Sequence, residues 1–279
     1  MRRLAVLGYP VSHSRSPAMQ TAALDALGLA PDWTYEAIEM PPEDFAVRTR
    51  ALPGAGFVGA NVTIPHKEAA LELADDAAAV AAGIGAANTL SFRDGTIRAD
   101  NTDAPGLLAA FGRPAAGLRA LVLGAGGSAR AAVWALAREG ANVEVWNRTG
   151  ERVDELVRAL AGSVEAGRDM PRLAPVSAEQ ALASSYDLIV NCTSVGLSEG
   201  DDPFSQLPLR EELLGRRVTV IDLVYAREET ELAATARGRG ARVIDGIEVL
   251  VRQGAESLRI WTGREPPLEL MREAARRVD

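Results

Sequence analysis

Leu118-Arg119-Ala120-Leu121-Val122-Leu123-Gly124-Ala125-Gly126-Gly127-Ser128-Ala129 is the stretch whose reading sets the fold. An apolar run of strand length meets a glycine-rich turn, and an alanine-rich segment with helical spacing follows over 128–139. The turn fits the pattern G-x-G-x-x-[GA] in the context that pattern requires, after a strand and before a helix. Gly124 permits the tight turn, and Gly126 lets backbone amides approach a pyrophosphate. Ala129 keeps the helix close to the sheet, while Ala125, Gly127 and Ser128 complete the loop at the positive end of the helix. The alternative is a glycine-rich turn with a structural role only.

The strand that follows, at 142–147, chooses among dinucleotides. It ends Val143-Glu144-Val145-Trp146-Asn147-Arg148-Thr149. Asn147 stands where an NAD site usually carries an acid for the ribose hydroxyls. In place of an acid, Arg148, Thr149 and Arg152 gather there. An acid would repel a 2′-phosphate and two guanidinium groups would bind it, so the pattern favours NADP. The plainer alternative makes Thr149 the cap of the next helix and Arg152 a solvated surface residue.

Working outward, short apolar runs alternate with amphipathic stretches along all 279 residues, which reads as α/β. Strands are expected at 3–8, 33–39, 57–62, 87–92, 96–99, 120–124, 142–147, 188–191, 218–222 and 242–244. Helices are expected at 17–27, 42–51, 66–73, 104–111, 128–139, 151–161, 229–237, 247–261 and 268–277. The break falls near Asn101–Pro105, where a second β-α-β series starts. The expected organisation is an α/β substrate domain at 1–102, a Rossmann-type dinucleotide-binding domain at 103–245, and C-terminal helices at 246–279 that return to the first domain. Those last helices have no strands of their own to cover.

Composition narrows the function. No run of about 18 apolar residues is present, so no membrane span is expected. The N-terminal apolar stretch ends at Gly8-Tyr9-Pro10, too early for a signal peptide, and reads as a buried first strand. Cys192 is the single cysteine, which excludes an intrachain disulfide framework and a cysteine-based zinc site. The two histidines, His13 and His66, are few for a metal centre, so no metal is expected. These features point to a reducing, cytoplasmic setting. The net charge of −8 argues against general nucleic-acid binding.

Of the 30 basic residues, only Lys67 is a lysine. Such a bias follows from pressure on base composition that replaces Lys by Arg wherever either serves. Lys can give up a proton when its surroundings demand it, and Arg does not. Behind Pro65, Lys67 falls in the first turn of a helix, where a cation opposes the helix dipole. A chance surface lysine must explain both that position and its uniqueness.

Four polar segments of the first domain sit at strand ends or helix starts: Ser12–Pro17, Asn61–Lys67, Ala87–Thr89 and Asp100–Asp103. Such positions gather on one rim of an α/β sheet, and their hydroxyls and amides suit a ligand with several hydroxyl groups. Each residue also has a duller explanation. Ser16 before Pro17, and Asp103, have the form of helix N-caps. Asn88 could satisfy backbone groups in a turn. His66 reads as a packed or exposed helix residue, and Cys192 as a small buried one. The loop at 194–208 reads as idle surface at its tip.

Taken together, the chain resembles the shikimate dehydrogenase family over nearly its full length. The carrying motifs are Ser14-Arg15-Ser16-Pro17, Asn61-Val62-Thr63-Ile64-Pro65-His66-Lys67, Gly85-Ala86-Ala87-Asn88-Thr89 and Asn101-Thr102-Asp103. In the second half they are Gly124 through Arg130, Asn147-Arg148-Thr149, Asn191 through Gly196, Asp222-Leu223-Val224-Tyr225, and Asp245-Gly246 through Gln253-Gly254-Ala255. The order and spacing of these motifs carry the specificity. The resemblance implies NADPH-dependent reduction of 3-dehydroshikimate to shikimate within aromatic amino-acid biosynthesis. It implies Lys67 and Asp103 as the catalytic pair, and Ser14, Ser16, Thr63, Asn88, Asp103 and Gln253 as ligands of the substrate's hydroxyls and carboxylate. It puts Tyr225 near the substrate, and Leu223 and Gly246 near the nicotinamide. One departure is Met19-Gln20, where family members often carry His followed by Asn or Gln. A quinate/shikimate dehydrogenase with relaxed choice of substrate and cofactor, and a non-catalytic relative that keeps the fold, are the alternatives. A homodimer is left open.

Overall fold

The computed structural model describes residues 1–164, 173–198, 200–226 and 228–277. The chain divides into two compact units, Met1–Gly106 with Leu250–Asp279, and Leu107–Val249.

The first unit is built on a six-stranded sheet in the order β2-β1-β3-β5-β6-β4. Its strands are β1 (Arg2–Gly8), β2 (Trp33–Glu39), β3 (Phe57–Val62), β4 (Asp76–Ala77), β5 (Thr89–Arg93) and β6 (Thr96–Asp100). β1 pairs in parallel with β2 and β3, whereas β5 runs antiparallel to both β3 and β6. Leu4 through Leu7 of β1 are buried, as a strand covered on both faces requires. The helices of this unit include α1 (Ser16–Ala26), α2 (Phe45–Ala51), α3 (Lys67–Leu73), α4 (Ala79–Ile84) and α12 (Leu268–Arg276). Phe45, Met40, Leu7, Val62 and Leu90 lie in one core cluster of this unit. The side chains of this core each contribute about 1.5–3 kcal/mol by leaving water. α12 packs on α1, burying Met271 and Ala275, and Arg15 Nη1 donates to the Ala275 carbonyl at 3.1 Å. Gly59 on β3 leaves room for Trp261, since a Cβ there would lie 2.2 Å from the indole nitrogen.

The second unit carries six parallel strands in the order β12-β11-β10-β7-β8-β9. These are β7 (Arg119–Leu123), β8 (Asn142–Trp146), β9 (Leu173–Pro175), β10 (Leu188–Asn191), β11 (Thr219–Asp222) and β12 (Arg242–Ile244). Period-two alternation divides their side chains between two layers. Ala120 and Val122 face a cluster with Ala132 and Leu136 of α6 (Gly127–Arg138), whereas Leu121 and Leu123 face one with Leu232 and Ala236 of α10 (Glu231–Gly238). The remaining helices are α5 (Asp103–Phe111), α7 (Gly150–Val164), α8 (Ala178–Leu182), α9 (Pro203–Gln206) and α11 (Gly246–Thr262). The strand order turns back at β7, so the C-terminal ends of β7 and β10 form the switch point where ligands bind in doubly wound sheets.

Two capping expectations are corrected. Ser16 lies inside α1, and Arg15 occupies the cap position without a side-chain bond to the helix's first amides. Asp103 is likewise the first residue of α5. The side chain of Asn101 does the capping, accepting from Asp103 N at 3.1 Å and Ala104 N at 3.3 Å. The Asp103 carboxylate is thereby released for other partners.

Candidate functional site

In the first unit, β3 runs into the Thr63–His66 turn, and Lys67 opens α3 behind Pro65. β6 ends at Asp100, and Asp103 opens α5. These two helix starts bring Lys67 Nζ to 2.6 Å from Asp103 Oδ2, with side chains 10% and 17% exposed. The pair is sheltered from bulk water yet reachable from it. A lysine and a carboxylate so placed can pass a proton to a bound hydroxyl or carbonyl oxygen and recover it.

Asn88 stands directly beside the pair. Its amide nitrogen approaches Asp103 Oδ1 at 2.8 Å, Thr102 Oγ1 at 2.9 Å and Gln253 Oε1 at 3.1 Å. Gln253 comes from α11, and its own amide nitrogen donates to the Leu250 carbonyl at 2.7 Å. Lys67, Asn88, Asp103 and Gln253 therefore form one cluster. Ser14 and Ser16 lie on the segment from β1 to α1, where the Ser14 hydroxyl accepts from Ser16 N at 3.3 Å. Thr63 follows β3, and its methyl group fills the space above Gly8, where a Cβ would lie 2.4 Å from it.

His66 is buried, stacks on Phe45 at 4.3 Å and meets the Met40 carbonyl at 2.6 Å through Nε2. Burial lowers its pKa, and the Met40 bond opposes that shift. It is a packing residue beside the site. Met19 and Gln20 are also fully buried, with Gln20 donating to the Gly254 carbonyl at 2.9 Å.

In the second unit the glycine-rich turn lies between β7 and α6. Gly124 has φ +111°, and a Cβ there would lie 3.2 Å from the Cys192 backbone, so only glycine is unstrained. Around Gly126, by contrast, no atom lies within 4 Å of a built Cβ, which leaves the turn's backbone approachable. Ala129 is fully buried against the sheet, and Ala125, Gly127 and Ser128 line the turn half-buried. Asn147 Nδ2 donates to the Thr149 carbonyl at 3.0 Å, shaping the turn after β8. Arg148, Thr149 and Arg152 are exposed around it. A groove of about 390 Å³ borders this turn, with Trp146, Asn147, Arg148 and Gln180 in its lining. The approachable turn and the exposed guanidinium groups of Arg148 and Arg152 fit a phosphorylated dinucleotide.

Leu223 and Gly246 are neighbours in space. A Cβ on Gly246 would lie 2.6 Å from the Leu223 carbonyl oxygen and 2.9 Å from that of Val224. Tyr225 follows on the same segment, half-buried.

Three family profiles match the chain. They are the shikimate dehydrogenase substrate binding domain over residues 6–90, shikimate / quinate 5-dehydrogenase over 109–196, and the shikimate 5′-dehydrogenase C-terminal domain over 246–276. The shikimate dehydrogenase (NADP(+)) of Methanothermobacter thermautotrophicus is 41% identical over 98% of this chain and 95% of its own length. The chain belongs to the shikimate dehydrogenase family. Among solved structures, the shikimate 5-dehydrogenase of Thermus thermophilus in complex with NADP(H) and shikimate is 42% identical, with a TM-score of 0.85 and 99% of each chain covered. The shikimate dehydrogenase of Aquifex aeolicus is 34% identical with a TM-score of 0.87, covering 99% of this chain and 98% of its own.

In this shikimate dehydrogenase family member, sequence reasoning missed the layer beneath the cluster. Ser257 Oγ lies 2.9 Å from Asn61 Nδ2, 2.8 Å from Thr89 Oγ1 and 3.0 Å from Thr102 Oγ1. Tyr35 donates to Asn61 Oδ1 at 2.8 Å. Only tertiary structure joins these residues, since Tyr35, Asn61 and Ser257 come from β2, β3 and α11. It also missed a clasp in the second unit. The buried Asp222 carboxylate accepts from Thr230 Oγ1 at 2.5 Å, Asn191 Nδ2 at 3.0 Å and Val224 N at 3.2 Å. Burial raises the Asp222 pKa, opposed by the three donors, of which Thr230 is the strongest. Among the described residues, no group of three or more His, Cys, Asp and Glu is placed to hold a metal. No helix among them is long and apolar enough to cross a membrane.

Proposed function

We propose that this protein is an NADP-dependent shikimate dehydrogenase, catalysing reversible reduction of 3-dehydroshikimate to shikimate in the shikimate pathway. The observation that carries the reading is the Lys67–Asp103 pair at 2.6 Å, intact in a chain so similar to proteins of that name. NADPH, when bound, supplies the hydride. The turn Gly124–Ala129 would hold its pyrophosphate, and Asn147, Arg148, Thr149 and Arg152 its 2′-phosphate. Leu223 and Gly246 would border the nicotinamide.

The chain's own residues place the substrate and manage one proton. Ser14, Ser16, Thr63, Asn88, Gln253 and Tyr225 would bind the substrate's hydroxyls and carboxylate. As negative charge develops on the substrate's carbonyl oxygen, Lys67 would give it a proton, and in the reverse direction take one back. Asp103, accepting from Lys67, would orient the ammonium group and hold a substrate hydroxyl. The family likeness supports a cytoplasmic location, which fractionation of the native cells would test.

The deciding experiment follows absorbance of the reduced nicotinamide with shikimate or quinate and with NADP or NAD. Rapid reduction of NADP with shikimate is expected. Comparable rates with quinate or NAD would move the protein to a relaxed-specificity branch, and no turnover with any pair would overturn the reading.

A further inference from the structure

Asn88 is 2% exposed, and its amide sits between groups whose hydrogen-bonding direction is fixed by their chemistry. The backbone N–H of Thr102 can only donate, and it lies 2.7 Å from Asn88 Oδ1. That anchor makes Oδ1 the acceptor and turns Nδ2 toward Asp103 and Gln253. The backbone carbonyl of Leu250 can only accept, and it takes Gln253 Nε2 at 2.7 Å. Gln253 must then present Oε1 to Asn88, the same polarity reached from the opposite side. Two backbone groups, on separate stretches of chain, thus set one amide so that its N–H faces Asp103 Oδ1 at 2.8 Å.

A second layer holds this arrangement from below. Asn61 Nδ2 donates to the Asn88 carbonyl at 3.2 Å, which fixes Asn61 as the donor to Ser257 Oγ at 2.9 Å. Ser257 in turn meets the hydroxyl of Thr102. An amide has two protons. One is given to Asp103, and the other is shared by Thr102 Oγ1 and Gln253 Oε1.

We infer that Asn88 is a positioning residue whose polarity, locked by Thr102 and Gln253, keeps Asp103 an acceptor at both oxygens and so fixes the carboxylate that orients Lys67. Asn88 then works through Asp103, in addition to its proposed contact with the substrate. The inference rests on the reading of Lys67 and Asp103 as the catalytic pair. The charged groups facing the amide are Asp103 from α5 and, behind it, Lys67 from α3. α11 and β3 contribute the neutral Gln253 and Asn61.

The test is the pH dependence of kcat in Asn88→Asp, which keeps the shape and puts an oxygen where the N–H faced Asp103. Two carboxylates that close hold a shared proton at low pH and repel at high pH. Turnover of Asn88→Asp is expected to fall as pH rises by about 10- to 100-fold beyond any fall in wild type. Asn88→Ala, with folding checked by circular dichroism, is expected to lower kcat over the whole range with a smaller rise in the KM for shikimate. A pH profile of Asn88→Asp parallel to that of wild type, or an Asn88→Ala enzyme changed in KM alone, would overturn the inference while leaving the catalytic pair standing. Full turnover by Lys67→Ala, run beside them, would instead remove the pair and the inference with it.

Discussion

At the scale of single residues, the informative contrast is between what Lys67 and Asp222 do with a charge. Lys67 is 8% exposed as a whole residue and meets Asp103, so its charge is partnered where the substrate would arrive. Arginine at this position would keep the charge and the pairing but would not release a proton. Lys67→Arg is therefore expected to leave the KM for shikimate within a few-fold and to lower kcat by about 100-fold or more, the usual worth of a general acid. Steady-state rates with saturating NADP check this, and wild-type kcat in the variant would remove Lys67 from the chemistry. Asp222 presents the opposite case, a buried carboxylate whose pKa is raised because burial disfavours its charged form. A raised folded-state pKa means that its contribution to stability is present below the unfolded value near 3.8 and is lost as pH rises through the folded value. Asp222→Asn does not titrate. Its deficit in denaturation midpoint relative to wild type is expected to be largest at the acid end and to narrow above about pH 4. A deficit constant with pH would show that Asp222 is not ionising in that window.

At the scale of elements, most of the chain was legible because its strands and helices follow their own periodicity. β2, β3, β10 and β12 have the expected bounds, and the other expected strands and helices differ only at their ends. What escaped were short pieces with too few residues to show a period: β4, β9, α4, α8 and α9. α8 is nonetheless marked by a capping box between Ser177 and Gln180, a local signal that could have been read. The site was legible only in part, for a physical reason. Lys67 and the glycine turn carry local signatures, whereas the Asn101 cap that frees Asp103, and the Ser257 layer, exist only once distant segments meet. Gly106 shows what such a meeting demands. A Cβ there would lie 2.7 Å from Gln253 N and 2.8 Å from its Cα, so α5 and α11 touch backbone to backbone at this point. Backbone cannot swing aside as a flexible side chain can. Gly106→Ala is expected to cost about 1–3 kcal/mol in chemical denaturation, as overpacking does. It should also raise the KM for shikimate, because Gln253 is displaced from Asn88. Unchanged stability and KM would mean that the helices part freely.

At the scale of the whole molecule, a chain of net charge −8 is proposed to bind two anionic ligands, shikimate and NADP. General attraction does not favour this, so in the proposed reading the binding energy would come from local groups: the amides of the glycine turn, and Arg148 and Arg152 after β8. Ligand binding to the native state adds RT ln(1 + [L]/Kd) to stability, about 2.7 kcal/mol at a hundredfold excess over Kd. NADP and shikimate are each expected to raise the thermal midpoint of the wild-type protein. Arg148→Ala removes a group that faces solvent, so it should unfold like wild type when ligand-free. It should then lose most of the shift with NADP, keep the shift with shikimate, and respond to NAD as wild type does, because NAD lacks the 2′-phosphate. The ligand-free scan separates a damaged fold from a damaged site. The NAD arm separates loss of 2′-phosphate recognition from loss of the pyrophosphate cradle, and equal weakening toward both dinucleotides would return the assignment to the glycine turn alone.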